Sequence, residues 1–85
     1  MVAVCGGSGS FLINAAINAN ADAYITADIK YHDFFIPEGR LILADIGHYE
    51  SEKFTKDLLY KLINEKISNI ALHLSEVNTN PVHYI

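Results

Sequence analysis

Apolar and polar residues follow one another along this chain in blocks that predict alternating strands and helices. Residues 2–5 are apolar and partly β-branched, which is typical of a short strand, and this run stops at a glycine-rich segment over 6–10. Apolar residues then recur at helical spacing to about Asn20, with Ser10 as the expected N-cap. The first quarter of the chain therefore predicts a strand, a glycine loop and a helix.

The middle of the chain repeats this alternation. Residues 23–26 predict a second strand, and Asp28 is placed to cap a short helical turn over 29–35 that Pro37 ends. Residues 40–45 form a near-continuous apolar run between turn signals, which is typical of a strand covered on both faces.

The last third predicts a long helix followed by a fourth strand. Apolar residues recur at helical spacing from about 49 to 66 with charged residues opposite them, and residues 70–74 are apolar enough for a strand. The predicted order is β-α-β-(short α)-β-α-β, in which crossover connections give a mostly parallel sheet with helices on its faces. We expect residues 1–85 to form a single α/β segment.

Composition narrows the class of protein. A chain of 85 residues leaves room for one small domain, and 51% hydrophobic residues exclude a disordered segment. A formal charge of −4 argues against direct nucleic-acid binding. No apolar run reaches the roughly 18 residues of a membrane span, so we expect neither a nucleic acid nor a membrane as a partner. The single cysteine, Cys5, cannot form an internal disulfide, and the chain opens on no signal-like segment, which favours a cytoplasmic location.

The first predicted strand begins at residue 2, with no flanking structure to cover the sheet edge that it creates. Exposed edges and apolar faces favour self-association, so we expect a homo-oligomer. The same feature suggests that the chain is part of a larger fold.

The densest group of chemically capable side chains lies over 45–52, where the third strand gives way to the long helix. His48 and Glu52 are four residues apart and lie on one side of a helix's first turn, where an imidazole and a carboxylate could hold one divalent ion. Alternatively, Glu50 and Glu52 merely complement the helix dipole, and His48 is a surface residue. Spacing alone leaves both readings open, because a metal site normally needs three or more protein ligands.

Two other segments carry candidate groups. The glycine-rich segment over 6–10 offers amides to an anion, or simply makes a tight strand-to-helix turn, and it lacks both the Walker lysine and the G-x-S-x-G elbow of a serine hydrolase. Asp28, Lys30 and His32 follow the second strand and either line the same cleft or form an ordinary capped turn. Cys5 is expected to be a small buried hydrophobe.

Four blocks of sequence occur in order along the chain: V-A-V-C-G-G-S-G-S-F-L-I, D-I-K-Y-H-D-F, D-I-G-H-Y-E-S-E and L-H-L-S-E-V-N-T-N-P. Together they resemble the C-terminal segment of the Nif-three-like dinuclear-metal-centre family, whose members are often named GTP cyclohydrolase 1 type 2 homologues. The resemblance covers essentially all of residues 2–85. One departure is Ala27, which stands where a T-G-D turn would have glycine.

The resemblance implies a half of a larger Nif-three-like fold and part of a metal site. In the family the segment G-H-x-x-x-E supplies one histidine and one glutamate to a pair of divalent metals, and these correspond to His48 and Glu52. The resemblance implies zinc, iron or manganese as the metal pair, with the remaining ligands coming from an N-terminal half that this chain lacks. The resemblance also makes Asp28, Lys30 and His32 candidate catalytic residues that line the cleft, position substrate or move protons.

Two functions follow as expectations. In the first, the chain is the C-terminal portion of a dinuclear-metal-dependent hydrolase that acts on a purine nucleotide by two-metal chemistry, and it is inactive alone. In the second, it is a non-catalytic protein-interaction or regulatory module with a structural metal site.

Overall fold

The computed structural model describes all of residues 1–85. Backbone contacts divide the chain into two compact units, Met1–Glu52 and Lys53–Ile85, which are described in turn. Whether they act as the single segment expected from the sequence stays a prediction.

The first unit is built on a three-stranded parallel sheet. Its strands are β1 (Val2–Ser8), β2 (Ala23–Ala27) and β3 (Ile42–Asp45), in the order β1-β2-β3. The helices between and after them are a 3-10 turn at Ser10–Leu12, α1 (Ile13–Asn18), a second 3-10 turn at Tyr31–Phe35, and α2 (His48–Glu52). This arrangement confirms the predicted α/β class, the parallel sheet and the first three strands.

The core of this unit lies between β2 and α1. Tyr24 on the central strand is 2% exposed, and it packs with Ile13 and Ala16 of α1 and with Leu41 before β3. The next inward-facing residue of β2, Thr26, is also fully buried, and its hydroxyl donates to the Gly7 carbonyl at 3.1 Å. The central strand is therefore the best-fixed part of the sheet.

The strand register brings the carboxyl ends of all three strands to one edge. Val4, Ile25 and Ala44 pair across the sheet, and Ser8 pairs with Ala27 beyond a register shift in β1. Because the strands are parallel, the segments that follow them emerge side by side, as in other open α/β sheets.

The second unit contains α3 (Thr55–Lys66) and no other regular helix or strand. The predicted fourth strand over 70–74 is wrong, since these residues pair with no strand, and an extended segment without a partner lacks the ladder hydrogen bonds that define a strand. The single helix predicted from 49 to 66 is also wrong, because a turn at Lys53 and Phe54 separates α2 from α3. The apolar spacing continues through that turn, so the periodicity did not mark the break.

Two predicted helix caps are also absent. Gly9, not Ser10, occupies the N-cap of the first 3-10 turn, and Lys30, not Asp28, occupies that of the second, with no side-chain capping bond at either. The Asp28 carboxylate instead forms a hydrogen bond with His48. No helix in the structure is long and apolar enough to cross a membrane.

Candidate metal site

Three side chains meet at the carboxyl edge of the sheet. Asp28 directly follows β2, while His48 and Glu52 are the first and last residues of α2. Asp28 takes a left-handed backbone conformation, with φ of 56°, which aspartate tolerates better than most residues. This bend turns the chain out of the sheet, next in space to the first residue of α2.

His48 is held at both ring nitrogens. Its Nδ1 lies 2.5 Å from Asp28 Oδ2, and its Nε2 lies 3.1 Å from Glu52 Oε2, one helical turn further along. The side chains of all three residues are about half exposed, at 47%, 49% and 51% for His48, Asp28 and Glu52. A histidine between two carboxylates at an open edge is accessible to a ligand from solvent.

The glycine loop makes room for this cluster. Gly7 has a φ of 69°, and a β-carbon there would run into the Glu52 carboxylate and lie 3.2 Å from His48 Nε2. The Gly7 amide also donates to Ser51 Oγ at 2.7 Å, which ties β1 to α2. Absence of a side chain at residue 7 is therefore what lets the imidazole and the carboxylate lie against the strand end.

Hydrogen bonds from β2 keep the glycine loop close to the sheet. The Tyr24 hydroxyl donates to the Gly9 carbonyl at 2.8 Å, and a β-carbon at Gly9 would collide with Tyr24 and Thr26. These contacts favour the tight-turn reading of the loop, in which its glycines permit close packing.

Asp45, at the end of β3, fixes the two neighbouring turns. Its Oδ2 accepts from the Ile29 amide and its Oδ1 from the Gly47 amide, each at 3.0 Å. The first bond holds the segment after Asp28, and the second holds the residue before His48. Asp45 therefore sets the separation of the two segments that carry the cluster.

The electrostatics of the cluster follow from its hydrogen bonds. The bond to Asp28 raises the pKa of His48 above 6.5, with the nearby Glu52 charge adding to the effect. The same bond, with a second from the Ser8 hydroxyl, lowers the pKa of Asp28 below 3.8. Without a metal, the imidazole is thus biased towards its charged form.

The candidate residues are therefore only partly brought together. His48 and Glu52 are adjacent, and Asp28 joins them, but Lys30 and His32 take no part in the hydrogen bonds or ion pairs of this cluster. His32 is exposed and lies edge-on to Tyr31. The assignment of these five residues to a site stays a prediction.

Sequence reasoning missed the supporting residues. Ser8 and Ser51 were not expected to bind the cluster, and Gly7 was expected to offer its amide to an anion or to make a tight turn. The available signal was positional, since Ser8 is the last residue of a strand and Ser51 lies three residues after a histidine that begins a helix. The pairing of Asp28 with His48 depends on strand register, which local patterns do not show.

The chain gathers two donor groups that face each other, and it contains no group of three or more His, Cys, Asp or Glu side chains arranged to hold a metal ion. Imidazole nitrogen and carboxylate oxygen are nevertheless the donors that zinc and similar divalent ions take in proteins. The donor chemistry of the pair fits a metal ion, provided that further ligands come from elsewhere.

Comparison with known proteins gives relatives that share one name. A protein named GTP cyclohydrolase 1 type 2 homolog from Nostoc is 44% identical over 73 residues, covering 85% of this chain and 26% of its own length. One of the same name from Streptococcus pneumoniae is 39% identical over 89 residues, covering 99% of this chain and 33% of its own length. The chain thus spans about a quarter to a third of these relatives.

Solved structures agree with the sequence relatives. The crystal structure of Staphylococcus aureus protein SA1388 matches with a TM-score of 0.73 at 35% identity, over 99% of this chain and 29% of that one. A Bacillus cereus protein related to NIF3 matches with a TM-score of 0.75 at 31% identity, over 99% and 24%. The family model described as Duf34/NIF3 (NGG1p interacting factor 3) covers residues 1–81. The resemblance seen in the four sequence blocks is therefore confirmed, and the chain belongs to the Duf34/NIF3 family.

Proposed function

We propose that this chain is part of a dinuclear-metal-dependent hydrolase of the GTP cyclohydrolase 1 type 2 kind, in which His48 and Glu52 are two of the metal ligands. The observation that supports this proposal is the approach of His48 Nε2 to Glu52 Oε2, at 3.1 Å, on the open edge of the sheet. The names of the relatives make GTP, a purine nucleotide, the substrate to test.

The chain supplies only part of such a site. Zinc, iron and manganese all need more protein ligands than one histidine and one glutamate, so the rest would come from the family's N-terminal half. A bound metal pair would supply Lewis-acid activation of the bond that is hydrolysed. Within this chain, His48 and Glu52 would hold the metal, while Asp28, Lys30 and His32 would line the cleft.

A half-exposed ion pair adds little to folding stability, which also supports a binding role for the cluster. Three separate segments bring Gly7, Asp28, His48 and Glu52 together, and a glycine with a left-handed backbone is needed to fit them. This arrangement constrains the backbone more than the small stabilisation from a surface ion pair would justify. It is expected where the groups bind something.

A specific observation favours the second function, an interaction module with a structural metal. Large apolar side chains are exposed on both units: Ile42 on the sheet is 71% exposed, and Leu58 on α3 is 56% exposed. The family description also names an interacting factor. We propose that a second copy of the chain covers part of this surface. The cytoplasmic location stays a prediction.

The ligand assignment predicts which variants lose metal binding. Zinc added to the 85-residue chain should shift the NMR signals of His48 and Glu52, with weak affinity because only two ligands are present. Replacement of His48 by Ala or of Glu52 by Gln should abolish this binding. Glu50→Gln, on the same helix, is the matched control and should bind as the wild type does. Equal loss in Glu50→Gln, or none in Glu52→Gln, would contradict the assignment.

The pH dependence of metal uptake follows from competition with a proton. His48 binds a metal only when Nε2 is unprotonated, and its pKa is raised above 6.5 chiefly by Asp28. Zinc affinity should therefore begin to fall while the pH is still above 6.5, by about tenfold per unit below the His48 pKa. Calorimetric titration with zinc across this pH range measures the affinity. An affinity independent of pH from 8 to 6, about the imidazole range, would refute histidine ligation.

The incomplete ligand set predicts that the chain alone does not hydrolyse GTP. Two ligands cannot fix a two-metal centre against competing water. Chromatography of GTP after incubation with the chain and zinc or manganese should show unchanged nucleotide. Metal-dependent conversion that is lost in His48→Ala would show instead that the chain is a complete catalyst.

The exposed apolar surface predicts self-association. Sedimentation at tens of micromolar, the order of magnitude at which weak complexes form, should show species larger than a monomer. Ile42→Glu or Leu58→Glu should shift the population towards monomer, because each places a charge in apolar surface, whereas Lys61→Gln on α3 should not. A wild-type chain that sediments as a monomer would count against the interaction module.

A further inference from the structure

We propose that Asp28 is a positioning residue that fixes the tautomer of His48, so that the lone pair of Nε2 faces Glu52 and is available to a divalent cation. This inference rests on the proposed function of His48 and Glu52. It assigns Asp28 a role distinct from contact with substrate or metal.

The geometry at His48 requires a choice between two carboxylates. A neutral imidazole carries one N–H and one lone pair, and an ionised carboxylate can only accept a hydrogen bond. The single proton of the ring can therefore satisfy Asp28 at Nδ1 or Glu52 at Nε2, but not both. Only the first choice leaves Nε2 free to bind a cation.

The distances decide in favour of Asp28. Charge-assisted N–H···O bonds are typically about 2.7–2.9 Å long, and the Nδ1 to Asp28 Oδ2 distance of 2.5 Å is shorter than this range. The Nε2 to Glu52 Oε2 distance of 3.1 Å is longer. We therefore assign the proton of the neutral ring to Nδ1, which leaves the lone pair on Nε2 beside Glu52.

Asp28 is itself held in place from the neighbouring strands. The hydroxyl of Ser8, at the end of β1, donates to the same Oδ2 that faces His48. The next residue, Ile29, is anchored through its amide to Asp45 at the end of β3. The carboxylate is thus fixed by groups from β1 and β3 before any ligand arrives.

This arrangement is the one that orients histidine ligands in metalloproteins generally. A metal-bound imidazole almost always donates its other N–H to a carboxylate, a carbonyl or a water, and loss of that partner typically costs about 10- to 100-fold in metal affinity. Here Asp28 is such a partner for Nδ1 of His48.

The test is the tautomer of His48 in the metal-free chain. Long-range proton–nitrogen NMR at about pH 9, well above the ordinary imidazole pKa, distinguishes a protonated Nδ1 from a protonated Nε2. We expect the proton on Nδ1 in the wild type. In Asp28→Asn, whose amide can donate to Nδ1, we expect a shift towards a proton on Nε2. Asp33→Asn, the same change in the following turn, should leave His48 unaltered.

A zinc titration of the same samples separates this inference from the proposed function. Asp28→Asn should weaken binding about 10- to 100-fold, whereas Asp33→Asn should not. A wild-type proton on Nε2, or an unchanged tautomer in Asp28→Asn, would overturn the role of Asp28 even if zinc still binds. The expected tautomers without zinc binding at His48 would instead overturn the proposed metal site.

If Asp28→Asn does not fold, Ser8→Ala provides a second test. It removes the hydroxyl that holds Asp28 but leaves the carboxylate, so His48 should show a mixture of tautomers and a smaller loss of zinc affinity. A wild-type tautomer and affinity in Ser8→Ala would refute the proposed anchoring.

Discussion

The hydrogen bond between His48 Nδ1 and Asp28 Oδ2 ties α2 to the sheet, together with the bonds that Asp45 and Ser51 make beside it. It links the end of the central strand to the first residue of α2, across 20 residues of sequence. Asp28 leaves the sheet through a left-handed bend, and α2 is only five residues long, too short to be stable from its own hydrogen bonds. The position of α2 therefore depends on its contacts with the sheet, among them the polar contacts of His48 and Ser51.

The residues around this bond, Gly7, Ser51 and Asp45, hold its two partners in place. Gly7 has no side chain, which leaves space for the Glu52 carboxylate. The Ser51 hydroxyl accepts a hydrogen bond from the Gly7 amide and donates one to the His48 carbonyl. Asp45 sets the spacing of the two turns that carry Asp28 and His48. Ser51, Gly7 and Asp45 thus support one imidazole, because the parallel register brings the ends of the three strands together beside α2.

Sequence reasoning succeeded where local pattern sufficed. The first three strands and the four-residue spacing of His48 and Glu52 are properties of short segments, and hydrophobic pattern or helical geometry reports them directly. It failed where a partner decides the structure: residues 70–74 are apolar enough for a strand but have none to pair with, and the apolar spacing from 49 to 66 continues through a turn. The contact between Asp28 and His48 needs the register of β2 with its neighbours. The sequence offered Asp28 either as a helix cap or as a residue lining the cleft, and in the structure its carboxylate contacts the His48 imidazole.

We propose that His48 Nε2 and Glu52 form one side of a metal site whose geometry the fold provides. Anomalous diffraction at the zinc edge, from crystals of the chain soaked in zinc, tests this most directly. The account predicts a peak about 2.0–2.1 Å from His48 Nε2 and within bonding distance of a Glu52 carboxylate oxygen, with Nδ1 still bonded to Asp28. Zinc bound only at other histidines, or at His48 through Nδ1 with Asp28 displaced, would contradict it.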